Sequence, residues 1–337
     1  MADHSWLYQG ELQIRFDTFV ERALFHLEHG YYSCNISQVG QRGDFSTSAT
    51  LSSLLARGIY DWIVKRPKRL PVIEVGAGSG QLASAILAQQ PASSKLAQAM
   101  SQRLPLFGGS AIDYHIVEAS EVLRDQQRER LGKQVTWHDS LHAALESLDG
   151  AALIFSNELV DAFPPRVFQK TETGWNELWI RSDRSEHWLK ACQLPESSVF
   201  SRNWKLGQRV EVHDSYHNWL SKNLKAFTEG EILTIDYGET VDQLYHRQPT
   251  GSVRAFLHHQ LLDGPQVYQN PGRQDITCDV NFTDLINWGR ELGLETKSLQ
   301  TQSDFLKPFS KGTTVDHYLL HNDGAGGVFK ALTSDKF

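Results

Sequence analysis

Apolar positions along the chain change their period twice. Phe16, Phe19, Val20, Ala23, Leu24 and Leu27 recur at helical spacing, and Gly30 stands where a helix would stop. A polar loop follows, GYYSCNISQVGQRGDFSTS. A second stripe of Leu51, Leu54, Leu55, Ile59 and Trp62 then predicts another amphipathic helix, broken by Pro67 to Pro71. From there short apolar runs alternate with helical ones. PVIEVGAGSG leads to QLASAILAQQ, YHIVEAS to EVLRDQQRERL, QVTWHDS to LHAALESL, and AALIFSN and EGEILTIDYG read as further buried strands. Strands alternating with helices of about ten residues predict a parallel sheet with helices on both faces.

The texture differs between Val167 and about Val212. RVFQKTETGWNELWIRSD predicts a hairpin around Thr173-Gly174 with Trp175 and Trp179 in its arms, part of an antiparallel insertion. Residues from Glu239 to Asp275 are irregular, with turn signals at Pro249-Thr250-Gly251 and Asn270-Pro271-Gly272. NFTDLINWGRELGLE predicts a helix capped by Asn281 and stopped at Gly293, and FKALTSDKF a last strand. The expected organisation is an N-terminal helical cap over 1–70, the first part of a core over 71–164, a β-rich insertion over 165–230, and the rest of the core with substrate-side loops over 231–337.

Four strand ends carry candidate chemistry. Gly76, Gly78 and Gly80 form G-x-G-x-G between a strand and a helix, where glycine lets the backbone approach a ligand. A dinucleotide fingerprint would need glycine at 81, which is Gln. Glu74, just before the loop, suits a ligand with a cationic amine, such as the methionine end of S-adenosylmethionine, better than a pyrophosphate. Glu118 ends the second strand, where an acid can accept from ribose hydroxyls. Asp139 ends the third, at the adenine edge, and an N-cap role for it is an equal alternative. The fourth strand delivers Asn157, Glu158 and Asp161 to the carboxyl edge of the sheet, where ligands of open α/β sheets bind. A solvated loop accounts for one acid there, but not for an amide and two acids.

Composition narrows the class. Of 337 residues, 40% are hydrophobic and 22% charged, which allows a sizeable core. The net charge of −7 argues against a nucleic-acid surface. The three cysteines, Cys34, Cys192 and Cys278, lie far apart and suggest neither disulfides nor a metal site. No apolar run is long enough for membrane insertion. MADHSWLYQGELQIRF lacks the layout of a secretory or transit segment, so the expectation is a cytoplasmic protein.

Several segments together resemble the MidA-type S-adenosylmethionine-dependent methyltransferases, a family that includes the mitochondrial complex I assembly factor that methylates an arginine. They are FVERALFHLEHGYYS, GQRGDFSTS, VIEVGAGSGQLA, YHIVEAS, VTWHDSL, FSNELVDAFPPRVF, LTIDYG, PGRQDITCDVNFTDL and LQTQSDFL, in the family's order and across nearly the whole chain. Gly43-Asp44-Phe45, Asn157-Glu158 with Asp161-Ala162, and Asp275-Ile276-Thr277 are the specific signatures. The chain departs from the family at Ser48-Ala49-Thr50, in place of Ser-Pro-Glu, and at Leu55-Ala56-Arg57, in place of Phe-Gly-Glu.

The resemblance implies a Rossmann-like class I methyltransferase sheet with an N-terminal helical cap and an antiparallel β insertion. It implies S-adenosylmethionine as cofactor, with Gly43, Asp44 and Thr47 folding over it. It implies transfer of a methyl group to a protein arginine by in-line displacement. Glu158 and Asp161 are then the candidates to grip the guanidinium, Asn157 to orient cofactor or acceptor, and Asp236 and Tyr237 to lie on the substrate side. The alternatives are a small-molecule methyltransferase and an assembly chaperone that keeps the fold without transferring methyl groups. The oligomeric state is left open.

Overall fold

The computed structural model describes residues 5–35, 53–91, 111–258 and 260–337. They fall into two compact units. One holds the described residues of Met1–Phe45 with Glu158–Lys222 and Asp236–Gly293, the other those of Ser46–Asn157 with Asn223–Ile235 and Leu294–Phe337.

The second unit contains the predicted sheet. Its strands are β1 (Val72–Val75), β2 (Tyr114–Val117), β3 (Thr136–His138), β4 (Ala151–Asn157), β5 (Glu229–Glu239), β6 (Glu295–Thr301) and β7 (Phe329–Lys336), in the order β6-β7-β5-β4-β1-β2-β3. The pairs β2–β3, β1–β2, β1–β4 and β4–β5 are parallel, and β6–β7 is antiparallel. VIEV and YHIV are buried at every position, as strands covered on both faces are, and are apolar apart from Glu74 and His115. Register sets Glu74 beside Ile116 and Phe155, on the same face as Val72, Tyr114 and Leu153. That face meets Leu54, Leu55, Ile59 and Trp62 of helix Ser53–Val64 and Leu82, Ala83 and Ile86 of helix Gln81–Ala88. Helix Leu141–Ser147 packs against β1, β2 and β3 through buried Leu141, Ala144 and Leu145.

The other unit is built around an antiparallel sheet. The predicted hairpin is present: Arg166–Thr171 pairs with Gly174–Arg181, with Thr171 opposite Gly174. Glu186–Lys190 and Arg209–Val212 extend it. Trp175 is buried edge-on to Phe200 at 5.3 Å, and Arg209 lies 4.8 Å over Trp188 while pairing with Glu186, so these two indoles serve packing. Asn281 caps helix Phe282–Glu291 by accepting the Thr283 amide at 3.1 Å, and Gly293 follows at φ 77°.

The expected division of the chain changes in two places. Gln13–Arg15 is a strand of the antiparallel sheet, with Ile14 opposite Ile180, so the N-terminal segment and the insertion share one unit. Helix Ser53–Val64, expected in the cap, belongs to the sheet unit because its apolar stripe is buried there. Arg57, where the resembled family has an acid, donates to the Phe309 carbonyl at 3.0 Å and pairs with buried Asp316 at 3.3 Å. The first helix ends at Phe25, since His26 leaves helical geometry with ψ 130°, and Leu27 is 86% exposed rather than part of the stripe.

Gly230 in β5 has φ 136°, and a Cβ there would lie 1.8 Å from the Ala152 carbonyl oxygen of β4. Backbone strain and overpacking add, so Gly230→Ala is expected to lower stability by about 3 kcal/mol or more, or to abolish soluble expression. Thermal unfolding followed by circular dichroism checks this, and an unchanged melting temperature contradicts it.

Candidate active site

In the sheet unit, β1 runs into a loop whose three glycines are all left-handed: Gly76 at φ 73°, Gly78 at 54° and Gly80 at 73°. Gly76 donates its amide to the Val117 carbonyl at 2.9 Å, which ties the loop to the end of β2. Among the described residues nothing stands within 4 Å of the point that a Cβ on Gly78 would occupy. Gly80 begins helix Gln81–Ala88, and a Cβ on it would press on Gln127 Cγ at 3.2 Å and Leu131 Cδ1 at 3.3 Å.

Glu118 follows β2 and is 7% exposed. Its Oε1 accepts the Ser120 amide at 3.1 Å, and its Oε2 accepts the Gly78 amide and the Gln127 side-chain amide, each at 3.2 Å. Burial pushes its pKa up, and the amide donors oppose the shift. Glu74, expected to face a cationic amine, is 2% exposed and accepts the Tyr114 hydroxyl at 2.7 Å within the sheet unit. Burial raises its pKa to about 7, the Tyr114 hydroxyl opposes this, and the Glu118 charge adds to it. Asp139 does not cap the next helix. Ser140 does, by accepting the Ala143 amide, while Asp139 is exposed and pairs with Arg124 at 2.9 Å. Gly43, Asp44 and Thr47 lie outside the described residues.

In the other unit, Glu158 is half-buried and holds φ at 55°, a left-handed conformation that a side chain rarely adopts. Asp236 fixes the turn after it. Its Oδ2 accepts the amides of Leu159 at 3.1 Å and Val160 at 2.9 Å, and its Oδ1 accepts the Tyr237 amide at 2.9 Å. Asp236 is fully buried, so it is a support for the turn rather than a surface acid. Burial raises its pKa, followed by the charges of Asp161 and Glu158.

Asp161 is also buried. Tyr237 donates its hydroxyl to Asp161 Oδ2, and Thr277 donates to the same oxygen at 2.9 Å. Asp161 Oδ1 has no hydrogen-bond partner among the described residues. Burial pushes the Asp161 pKa up against these two hydroxyls and the nearby Arg254 charge. Asp275 accepts the Tyr32 hydroxyl at 2.9 Å and is raised to about 7, first by burial and then by the Asp161 charge. Arg254 lies 4.7 Å over the Tyr237 ring and pairs with Asp279 at 2.6 Å. Tyr32, Arg254, Asp275 and Thr277 therefore join the expected carboxylates, and Asp275-Ile276-Thr277 was the sequence signal that pointed toward two of them. Among the described residues no group of His, Cys, Asp and Glu has the layout of a metal site.

Residues 54–300 match a family described as "Putative S-adenosyl-L-methionine-dependent methyltransferase". The chain belongs to this family. It is 26% identical to protein arginine methyltransferase NDUFAF7, mitochondrial, of Danio rerio, over 90% of this chain and 75% of that protein. Against the Mus musculus protein of the same name it is 27% identical, over 79% of this chain and 64% of that one. A crystal structure from Burkholderia thailandensis with bound S-adenosyl-homocysteine is 25% identical, with TM-score 0.78, over 97% of this chain and 89% of that one.

The protein is thus an S-adenosylmethionine-dependent methyltransferase with a Rossmann-like sheet. The expectation of a cytoplasmic location is corrected, because these relatives are named as mitochondrial proteins. No helix among the described residues is long and apolar enough to cross a membrane. The residues of this methyltransferase fit its cofactor. Among the described residues nothing stands over Gly78, and a buried acid stands at the end of the neighbouring strand.

Glu74 generates a pH test. Its carboxyl has an ordinary pKa of 4.5 when unfolded and about 7 when folded. Between those values the folded chain holds a proton that the unfolded chain has lost, so this group's contribution to stability falls as pH rises through the window. Glu74→Gln is therefore expected to be stabilising, relative to the natural chain, by up to about 3 kcal/mol near about pH 8, with the gain vanishing near about pH 5. Denaturant unfolding at the two pH values checks this, and a pH-independent difference contradicts it.

Proposed function

We propose that this methyltransferase acts on a protein arginine, and that Glu158 grips the guanidinium. The observation that carries the reading is the left-handed backbone of Glu158, held by the bonds from the Leu159 and Val160 amides to Asp236. Strain of this kind costs about 1–3 kcal/mol and persists where the surroundings enforce it, often at functional sites. A carboxylate with an imposed direction suits a planar cation that binds through two parallel N–H bonds. The names of the curated relatives support the acceptor class.

When bound, S-adenosylmethionine supplies a sulfonium methyl group for in-line displacement by a nucleophile. The loop of Gly76, Gly78 and Gly80 with Glu118 is assigned to cofactor binding, and Asn157 to orienting cofactor or acceptor. Glu74 and Asp139 hold internal or surface partners of their own and take supporting parts. Asp161 has a second task in this reading. A guanidinium releases one proton when its nitrogen is methylated. We assign Asp161 Oδ1 to take an N–H or that proton, a reading supported by its burial without a hydrogen-bond partner among the described residues. The raised pKa of Asp161 favours proton uptake. Tyr237 and Thr277 hold its other oxygen and fix its direction.

Glu158→Gln keeps the shape and removes the charge. Labelled-methyl transfer into a cell lysate is expected to fall by about 10²-fold or more, since positioning dominates such a step. Binding of S-adenosylhomocysteine, read by calorimetry, should stay unchanged. Undiminished transfer removes Glu158 from the site. Amino-acid analysis of the labelled protein should return methylarginine, and label confined to another residue or to small molecules overturns the acceptor assignment.

A further inference from the structure

Gln127 is fully buried on helix Glu121–Leu131, on the face that also buries Leu123 and Leu131. The orientation of its amide is fixed by Trp137. An indole N–H can only donate, and Trp137 Nε1 lies 2.9 Å from Gln127 Oε1. The NH₂ group is therefore the one turned to the loop. It donates to the Gly78 carbonyl at 2.7 Å and to Glu118 Oε2 at 3.2 Å. One side chain thus spans the middle glycine of the loop and the acid at the end of β2.

The glycine at position 80 is explained by the same residue. Gln127 Cγ fills the space that a Cβ on residue 80 would enter. Gly80, Gln127 and Trp137 form one contiguous support under the loop.

The bonds to Glu118 are uneven. Among the described residues Oε2 takes two donors, from Gly78 and Gln127, Oε1 takes the Ser120 amide, and the Ala119 amide also favours the anion. An ionised carboxylate has about four acceptor directions, two on each oxygen. The donors on Oε2 fill its share and leave accepting capacity on Oε1. Removing the Gln127 donor frees the carboxylate to turn and spreads that capacity over both oxygens.

We infer that Gln127, oriented by Trp137, is a positioning residue that aims Glu118 at a ribose hydroxyl, so that discrimination between ribose and deoxyribose in the ligand depends on it. The inference rests on the assignment of Glu118 to the cofactor's ribose. Its signature is a ratio of affinities rather than an affinity. Loosening of the loop alone weakens ribose and deoxyribose ligands equally, whereas loss of aim weakens the ribose ligand selectively.

The experiment is calorimetry on the full chain with S-adenosylhomocysteine and with its 2′-deoxy and 3′-deoxy analogues. In the natural protein at least one analogue is expected to bind about tenfold to a hundredfold more weakly, the size of a lost hydrogen bond to a charged group. Gln127→Leu should shrink that ratio to about threefold or less, with Trp137→Phe, which keeps an aromatic ring but deletes the N–H donor, falling between. Trp137→Phe also stands in if Gln127→Leu fails to fold. A ratio unchanged in both variants overturns the inference. Glu118→Gln separates the two layers. If it too leaves the ratio unchanged, the ribose assignment itself is wrong. If it removes the ratio while the Gln127 and Trp137 variants preserve it, only the positioning role falls.

Discussion

Among the described residues Asp236 accepts three backbone amides, from Leu159, Val160 and Tyr237, and no side-chain cation is a hydrogen-bond partner. A buried carboxyl left unsatisfied is costly, and each amide bond to it contributes about 0.5–1.5 kcal/mol, more where the acid is ionised. The left-handed conformation of Glu158 costs about 1–3 kcal/mol. Two of the three bonds fall on the residues directly after Glu158, so they are strong enough to hold that strain. The adjacent residue, Tyr237, then donates its hydroxyl to Asp161, which links the support of one acid to the setting of the other.

The buried acids of this methyltransferase divide by the kind of donor they receive. Glu118 and Asp236 accept mainly backbone amides, which stay in place because the loops that carry them are fixed. Glu74, Asp161 and Asp275 accept hydroxyls from Tyr114, Tyr237 with Thr277, and Tyr32. Burial raises the pKa of all five acids, whichever donors they receive. Amide-bound acids suit fixed recognition of a neutral hydroxyl or a turn. Hydroxyl-bound acids suit proton exchange, because a hydroxyl can turn to donate or accept whereas a backbone amide only donates.

The parallel strands, the glycine loop and the helix cap at Asn281 were legible because each is a local pattern. Apolar runs, φ-permissive glycines and N-cap residues act over a few positions. Membership of the two units was not local. It depends on pairings such as Ile14 with Ile180, which no periodicity announces. Burial of Asp161 was illegible for a related reason. A polar residue after a strand reads as solvated until the chain that covers it is known, and here Tyr237 and Thr277 come from distant segments. Gln127 gave no signal at all, since a glutamine on a helix rich in charge reads as surface. For Asp139 the sequence left a helix cap as an alternative, and the adjacent Ser140 takes that cap.

The central claim is that the amide bonds to Asp236 set Glu158 for transfer. Asp236→Asn tests it most directly, because the amide side chain turns one acceptor into a donor facing a backbone N–H. Steady-state labelled-methyl transfer should drop by about 10²-fold while S-adenosylhomocysteine binding and the melting transition show that the fold and the glycine loop persist. Full transfer activity in that variant would contradict the account.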